Sequence, residues 1–264
     1  VIITSQAEQL IIGTTLGDGC ISVPPGCKNP RLSVVHRLED FPYLDWKYNV
    51  LKGVGLVKSP MLFPSYENSA TLYSICHSSL WKYRKAFYQN NHKVLRKKIL
   101  KLLTPFSLAI WYMDDGGFVF RNGEHGQSIR ATIFTLAFSQ AENGFASEIL
   151  REKFGFLFRV KPYRNSYVLE MTRSKDIVAF LDTIRPYMHP CMVRKCPNIF
   201  IKTDRKFSEK AKQVMKGKAA ERHQDEIAKR RFTALWHNPE YRQMMSLRQK
   251  RDEMGRYIKK ENMV

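Results

Sequence analysis

Apolar residues recur at helical spacing in a segment near the start of the chain, from about Gln6 to Leu16. Ser5 and Glu8 precede this run with the spacing of a capping box, in which two side chains satisfy free N–H groups of the first helical turn. Asp18 follows between two glycines, which stop a helix and let another backbone approach closely. The pattern predicts a helix that delivers an acidic residue to its carboxyl end.

A second segment repeats this pattern in the middle of the chain. Thr104 is a good N-cap, Pro105 suits the first helical position, and an apolar run then ends at Asp115 before two glycines. Asp115 lies 97 residues after Asp18, a separation close to the size of a small domain. The repeat indicates a tandem duplication with one acidic residue per half.

Alternating apolar positions and turn residues predict two strand pairs and two further helices after each of these segments. In the first half the strands are expected near Ile21–Val23, Arg31–His36, Met61–Phe63 and Thr71–Cys76, and the helices near Phe41–Lys52 and Leu80–Gln89. In the second half the strands are expected near Phe118–Arg121, Arg130–Leu136, Phe158–Pro162 and Tyr167–Met171, and the helices near Gln140–Phe154 and Lys175–Tyr187. Asn122-Gly123 is predicted as the turn of the first hairpin in that half. The pattern predicts an α+β fold with the order αββαββα twice, over residues 1–100 and 101–197.

Residues 198–264 have a different composition. This segment contains 18 Lys and Arg against 9 Asp and Glu, and it shows little alternation of the kind that strands require. Helical segments are predicted near Ser208–Met215, Glu221–Leu235 and Pro239–Lys250. The segment is interpreted as a basic helical extension that contacts DNA, with a solvated charged tail as the alternative.

The charge balance points to a polyanionic partner. The 264 residues carry 44 Lys and Arg against 24 Asp and Glu, a formal charge of +20, and nucleic acid is the commonest partner of such a protein. Five scattered cysteines without a Cys-x-x-Cys pair argue against structural zinc and favour reduced thiols in an intracellular protein. No apolar run is long enough to span a membrane and no signal-peptide pattern opens the chain, so a membrane partner is not expected.

The two acid-tipped segments resemble the motifs of the LAGLIDADG homing endonucleases, and the match is best to the single-chain type with two motifs. The second motif, Leu108-Ala109-Ile110-Trp111-Tyr112-Met113-Asp114-Asp115-Gly116, agrees nearly residue for residue, whereas the first has Thr14 and Thr15 in place of apolar residues. Three further places resemble other parts of that family. They are His36 with Tyr43–Tyr48, then Lys93–Leu95, and finally Ile184–Met188 with Lys195–Pro197. The resemblance covers about residues 5–200.

The resemblance implies two αββαββα halves that form a β-saddle on double-stranded DNA and cleave both strands, with the motif helices packed along the pseudo-dyad. Gly13 and Gly17 would allow close packing against Ala109 and the helix around it. Asp18 and Asp115 would be catalytic metal ligands with Lys93 and Lys195 as catalytic partners, and the metal ligands would extend to the preceding Gly17 and Asp114. Successive residues of a helix do not share a face, so one of Asp114 and Asp115 is expected to point into the site, and the motif selects Asp115. Mg²⁺ is the expected cofactor because it prefers oxygen ligands and keeps several waters, with Mn²⁺ as a substitute and Ca²⁺ binding without cleavage.

Simpler interpretations of the same residues stay open at this point. An Asp beside a glycine is also typical of a turn at the end of a helix. Lys93 and Lys195 would equally serve as phosphate contacts among 44 basic residues. His36, in an apolar strand, is interpreted as a core or surface histidine and not as a metal ligand.

The predicted hairpins supply the candidates for DNA contact, because a two-stranded ribbon fits the major groove and alternate side chains reach base edges. Either base or phosphate contact would suit each of them. The candidates in the first half are Lys28, Asn29, Arg31 and Arg37, and those in the second half are Arg121, Asn122, Gln127, Arg130, Arg159, Lys161, Arg164 and Asn165.

The sequence therefore predicts a monomeric, site-specific, metal-dependent DNA endonuclease that promotes the mobility of its intron or intein. The alternative is an RNA maturase on the same fold, which would bind its own intron RNA and need neither acid. A DNA-binding regulator without nuclease activity is disfavoured, because both acids are kept. A bacterial or phage cytoplasm and an organelle matrix are equally compatible with the sequence.

Overall fold

The structure is a computed structural model that describes residues 1–61, 68–123 and 126–197. These residues belong to one compact unit. The predicted basic extension, 198–264, lies outside the described residues, as does most of the strand predicted near Met61–Phe63.

The first half begins with a helix and then alternates short strands with helices. Its elements are α1 (Ser5–Leu16), β1 (Cys20–Ser22), β2 (Arg31–Arg37), α2 (Phe41–Gly53), β3 (Ser69–Tyr73), α3 (Trp81–Phe87), β4 (Tyr88–Gln89), β5 (His92–Lys93) and α4 (Lys97–Leu100). A single turn of 3-10 helix, Leu38–Asp40, connects β2 to α2, and another, Ser78–Leu80, precedes α3.

The second half repeats the predicted order without interruption. Its elements are α5 (Pro105–Asp115), β6 (Gly116–Gly123), β7 (Gly126–Ile133), α6 (Gln140–Phe154), β8 (Arg159–Tyr163), β9 (Ser166–Met171) and α7 (Ser174–Ile184). The 3-10 segments Arg185–Tyr187 and Pro190–Lys195 follow. The predicted α+β class and the αββαββα order of this half are confirmed, whereas the boundary between residues 100 and 101 stays a prediction.

Both halves contain an antiparallel sheet. In the first sheet β2 lies between β1 and β3, with Val34 opposite Leu72, and in the second the order is β6-β7-β9-β8, with Ile133 opposite Leu169. Strand β6 continues through Asn122 and Gly123 and pairs with β7 up to Gly126, so the prediction of a turn at these two residues was wrong. In this pairing Asn122 faces Gln127, and the turn side of the hairpin is longer than predicted by two residues in β6 and by four in β7.

The helix starts follow the expected capping chemistry, with one correction. Thr104 caps α5 and forms a capping box with Ser107, which confirms the predicted start. Helix α1 is capped by Thr4, whose side chain accepts from the Ala7 N–H, and not by the Ser5 of the predicted capping box. The Ser5 position was wrong by one residue because serine and threonine are adjacent and both are good caps.

Helices α1 and α5 cross in direct contact at two glycines. A Cβ atom on Gly13 would lie 2.5 Å from the Ser107 carbonyl oxygen and 2.8 Å from the Ile110 Cβ, and one on Gly17 would lie 2.4 Å from the Asp114 Cβ. The expected packing of the motif helices is therefore present, and the nearest groups lie on the helix around Ala109. The crossing brings the carboxyl ends of both helices together.

One hydrophobic core extends through both halves. Trp111, Tyr112 and Met113 of α5 are fully buried in this core. Leu10, Ile11 and Ile12 of α1 belong to the same cluster. All five cysteines are free thiols. Among the residues described, no helix combines the length and apolar character needed to cross a membrane.

The substitution Gly13→Ala is expected to lower the free energy of unfolding by about 1–3 kcal/mol, because its methyl group overpacks the crossing of α1 and α5. Urea unfolding followed by circular dichroism measures this change. Gly144→Ala in α6 is the matched control, since nothing lies within 4 Å of its added Cβ. The control should gain up to about 1 kcal/mol from helix propensity, and equal losses in both variants would contradict close packing at Gly13.

Candidate active site at the crossing of the motif helices

The two predicted acids lie at the carboxyl ends of the crossing helices. Asp18 follows α1 and keeps 39% of its side chain exposed, while Asp115 is the last residue of α5 and is half-buried. Desolvation, then the charges of Asp18 and Asp114, raise the pKa of Asp115 to about 7. Desolvation and the charge of Asp114 also raise the pKa of Asp18. The site therefore concentrates negative charge that its surroundings do not fully compensate.

The two predicted lysines occupy equivalent places in the two halves. Lys93 Nζ donates to the carbonyl oxygens of Gly17 and Gly19, both at 3.0 Å. Lys195 Nζ donates to the carbonyl oxygens of Met113 at 2.6 Å and Asp114 at 2.8 Å. Each lysine thus holds the backbone next to one acid, where helix carbonyls without partners attract a cation.

Burial lowers the pKa of both lysines, and the carboxylates of the site oppose this effect. For Lys93 the largest opposing charge is that of Asp115, and for Lys195 it is that of Asp114. The structure therefore places all four predicted catalytic residues in one electrostatic cluster. The acids lie at the ends of the two motif helices, Lys93 lies in β5, and Lys195 lies in the 3-10 segment Pro190–Lys195.

A third carboxylate, Asp114, is buried and neutralised from the other half. Lys47 Nζ of α2 lies 2.7 and 3.0 Å from its two oxygens, and both side chains are fully buried. The Tyr43 hydroxyl donates to Asp114 Oδ1 at 2.9 Å, and desolvation raises the pKa of Tyr43, which keeps the hydroxyl protonated. Asp114 and Asp115 thus differ, as expected of successive helix residues, because the carboxylate of Asp114 is directed into the first half.

His36 of β2 lies between Asp18 and this ion pair. Its Nδ1 is 3.5 Å from Asp18 Oδ2, and its Nε2 is 3.2 Å from Lys47 Nζ. Desolvation and the charge of Lys47 lower the pKa of His36 to about 3, so the ring is neutral at physiological pH. The polar groups of β2 and α2 therefore connect Asp18 to Asp114 through His36 and Lys47.

Asp18, His36 and Asp114 present ligand atoms within 4.8 Å of one another, but they do not fit a metal ion. The ammonium group of Lys47 already occupies the space beside Asp114 that a cation would need. Asp18 and Asp115 fit better, because they are oxygen donors whose pKa values are raised by desolvation and by neighbouring carboxylates, and a divalent cation would offset both effects. The carbonyl groups of Gly17 and Asp114 accept from the lysines and keep a second lone pair each.

Basic side chains share one face of the second sheet. The strand registers place Arg121 and Arg130 on the same face as Arg159 and Lys161, and all four are exposed. Arg130 also pairs with Glu170 at 3.3 Å. Arg164 and Asn165 are exposed in the turn between β8 and β9, whereas the side chains of Asn122 and Gln127 lie outside the described part of the chain. Four of the predicted contact residues of the second half thus share one exposed face of this sheet.

The first sheet carries a smaller set. Arg31 and Arg37 share the face of β2 opposite to His36, and the Arg31 guanidinium lies 4.1 Å from the centre of the Tyr73 ring. Lys28 is exposed in the loop between β1 and β2. Asn29 accepts from the Trp81 indole at 3.2 Å, so its side-chain oxygen is already engaged in the protein.

The sequence interpretation did not assign Lys47 and Tyr43 to the site. Tyr43, Leu44, Lys47 and Leu51 recur at helical spacing and are all buried in α2. A lysine at a core position of an amphipathic helix is a recognisable signal, because a buried charge requires a partner. The identity of that partner, Asp114, depends on contacts between the halves that no local pattern shows.

Residues 8–177 match the sequence profile described as the LAGLIDADG DNA endonuclease family. The chain belongs to this family. A probable intron-encoded DNA endonuclease of Mycosarcoma maydis is 35% identical over 116 residues, which cover 42% of this chain and 80% of that protein. A cytochrome b mRNA maturase of Debaryomyces hansenii is 24% identical over 72% of this chain and 73% of its own length.

Other relatives of this LAGLIDADG protein are longer. The RecA protein of Mycobacterium gastri is 29% identical over 74% of the chain, and the match covers 48% of that protein. The chain thus spans about half the length of the first curated relatives that it matches. The homing endonuclease I-WcaI, solved bound to its DNA recognition sequence, superimposes with a TM-score of 0.67 over 75% of this chain and 89% of that chain, at 22% identity. This likeness confirms the LAGLIDADG fold.

Replacing Lys47 by methionine is expected to destabilise the protein by about 3–5 kcal/mol, because Asp114 would stay buried without its counter-charge. Chemical unfolding measures the change. Lys82→Met is the control: Lys82 pairs with Glu8 at 2.6 Å, but both side chains are exposed, so its loss should cost at most about 1 kcal/mol. Similar effects of the two substitutions would contradict the buried ion pair.

The raised pKa of Asp115 predicts a stability that depends on pH in the metal-free protein. Because the folded state holds the proton up to about pH 7 and the unfolded state releases it near pH 4, stability falls as pH rises between these values. Asp115→Asn removes this effect, so its gain in stability over the parent should be larger at pH 8 than at pH 4. Thermal unfolding in EDTA at both pH values tests this, and a gain independent of pH would contradict it.

Proposed function

We propose that this chain is a site-specific DNA endonuclease that makes a double-strand break by metal-dependent hydrolysis of phosphodiester bonds. The observation that carries the proposal is the duplicated arrangement at the helix crossing, where each half contributes one acid and one lysine. Membership of the LAGLIDADG DNA endonuclease family supports the same activity. Relatives named as an intron-encoded endonuclease and as a maturase support a role in the mobility of an intron or intein.

Asp18 and Asp115 are the proposed holders of divalent metal, with Mg²⁺ as the expected ion and the carbonyl groups of Gly17 and Asp114 as further oxygen donors. Mn²⁺ should replace it, and Ca²⁺ should bind without supporting cleavage. Bound metal would activate the attacking water and stabilise the phosphate and the leaving oxygen. The chain's own part is to orient both carboxylates, whose raised pKa values a bound cation would lower, while the desolvated floor of the site limits access of other water.

Lys93 and Lys195 are proposed to act through their positive charge. Each ammonium group lies beside the backbone next to one acid, so it adds positive charge near the phosphate of one strand. Such fixed charge stabilises the transition state because it needs no reorganisation during the reaction. The lowered pKa of each lysine would also ease proton exchange with a bound water.

Double-stranded DNA is the proposed substrate. The basic face that carries Arg121, Arg130, Arg159 and Lys161 belongs to an antiparallel sheet, and β-ribbons of this kind fit the major groove. Arg31 and Arg37 would contribute the corresponding contacts in the first half. Because one chain carries both halves, the enzyme is proposed to act as a monomer.

Incubating the full chain with a randomised duplex library and Mg²⁺, followed by sequencing of the cut ends, identifies the target. Asp18→Asn and Asp115→Asn should each slow cleavage of that target by more than about a hundredfold, because each removes one of the two carboxylates that are proposed to hold the metal. DNA affinity measured with Ca²⁺ should change little, since the basic faces stay intact.

Lys82→Met is a suitable control, because this exposed residue lies outside the site and should leave the cleavage rate unchanged. Full cleavage by the double variant Asp18→Asn/Asp115→Asn in Mg²⁺ would contradict the proposal. A library that stays uncut at every concentration of Mg²⁺ and Mn²⁺ would do the same.

An RNA maturase is the second candidate, and the relative named as a cytochrome b mRNA maturase favours it. The same basic surfaces would then bind the intron that encodes the chain. Splicing assays with that intron separate the two functions, because a maturase should keep its effect on splicing in the Asp18→Asn/Asp115→Asn variant. Loss of splicing and cleavage together would favour the endonuclease.

A further inference from the structure

The contact between Lys47 and the ring of His36 determines which ring nitrogen carries the proton. Lys47 Nζ lies 3.2 Å from His36 Nε2, and an ammonium group can only donate a hydrogen bond. Nε2 is therefore the acceptor, and the proton of the ring is on Nδ1. On the Nδ1 side of the ring, Asp18 Oδ2 lies 3.5 Å away.

The Lys47–Asp114 ion pair fixes this arrangement. Lys47 is held by both oxygens of Asp114 in a fully buried setting, so its ammonium group has a defined position beside His36. The ring itself is 6% exposed and lies 5.2 Å from the ring of Tyr43. Contacts on three sides thus leave the histidine one orientation, in which Nδ1 faces Asp18.

The second half has no equivalent of this contact at the matching position. Val34 opposite Leu72 corresponds to Ile133 opposite Leu169, so the residue two places further along is His36 in one half and Thr135 in the other. The Thr135 hydroxyl donates to Asn143 Oδ1 and lies 3.3 Å from the Tyr167 carbonyl oxygen, and both partners belong to the second half. It therefore does not take the place of His36 beside the acid of its own half.

We propose that His36 is a positioning residue that orients Asp18, and that Lys47 sets its Nδ1–H tautomer through Nε2. The donor holds Oδ2 and leaves Oδ1 of Asp18 directed at the site, which is how hydrogen-bonded outer groups orient carboxylate ligands of metals. This inference rests on the proposed endonuclease activity, and it adds that the two halves of the site are controlled differently.

The tautomer is measurable in the metal-free protein without any cleavage assay. In the full chain labelled with ¹⁵N at histidine, long-range ¹H–¹⁵N correlation spectra distinguish Nδ1–H from Nε2–H rings. The signal of His36 is assigned as the one that is lost in His36→Asn. It should show the Nδ1–H pattern in the parent protein. Lys47→Met should abolish the preference of His36 for this tautomer. An Nε2–H ring or a doubly protonated ring in the parent protein would overturn the proposal.

Two substitutions of His36 separate positioning from packing. The amide of asparagine places an N–H where Nδ1 lies, whereas that of glutamine reaches the position of Nε2. With a target duplex labelled differently on its two strands, His36→Asn should keep the parent ratio of the two cleavage rates within about threefold. His36→Gln should slow one strand about 10- to 100-fold more than the other and accumulate nicked product.

The outcomes distinguish this inference from the proposed function. Equal slowing of both strands in both variants, at unchanged melting temperature, would overturn the positioning role. So would an unchanged strand ratio in His36→Gln. If the parent protein cleaves no DNA, the proposed function fails, while the tautomer of His36 and its dependence on Lys47 still test the contact.

Discussion

The close crossing of α1 and α5 determines where every charged group of the site lies. Gly13 and Gly17 bring the two backbones to a separation that any side chain at these positions would prevent. The carboxyl ends of both helices meet as a result, and their acids and free carbonyl groups concentrate negative charge in a buried place. Lys93 and Lys195 then stabilise the helix ends by donating to the carbonyl groups beside the acids.

Much of this arrangement could be predicted from sequence, because it depends on local signals. Thr104 and Pro105 define the start of α5, and the glycines after Asp18 and Asp115 mark the helix ends. The repeat at a spacing of 97 residues supplies the pseudo-symmetry. The resemblance to the LAGLIDADG family located Lys93 and Lys195, although lysine itself is an unspecific residue in so basic a chain.

The parts that could not be predicted depend on contacts between the halves. The partner of Lys47 is 67 residues away, and nothing local indicates which carboxylate it neutralises. The apolar strand around His36 did not indicate a role for its ring, because that role depends on Asp18 and on Lys47 of α2. The hairpin of β6 and β7 also extends two residues past its expected turn, because cross-strand pairing outweighs the turn preference of Asn122-Gly123.

The duplication cannot be exact at the crossing itself, and this explains why the two halves differ. Gly17 and Asp114 occupy equivalent positions in the two motifs and face each other, and a Cβ on Gly17 would lie 2.4 Å from that of Asp114. A side chain therefore fits on one side only. Once that side chain is an aspartate, its buried charge requires a cation, which α2 of the other half supplies through Lys47. The same lysine contacts His36, and His36 lies beside Asp18. The packing at Gly17 and Asp114 therefore leads to different surroundings for Asp18 and Asp115.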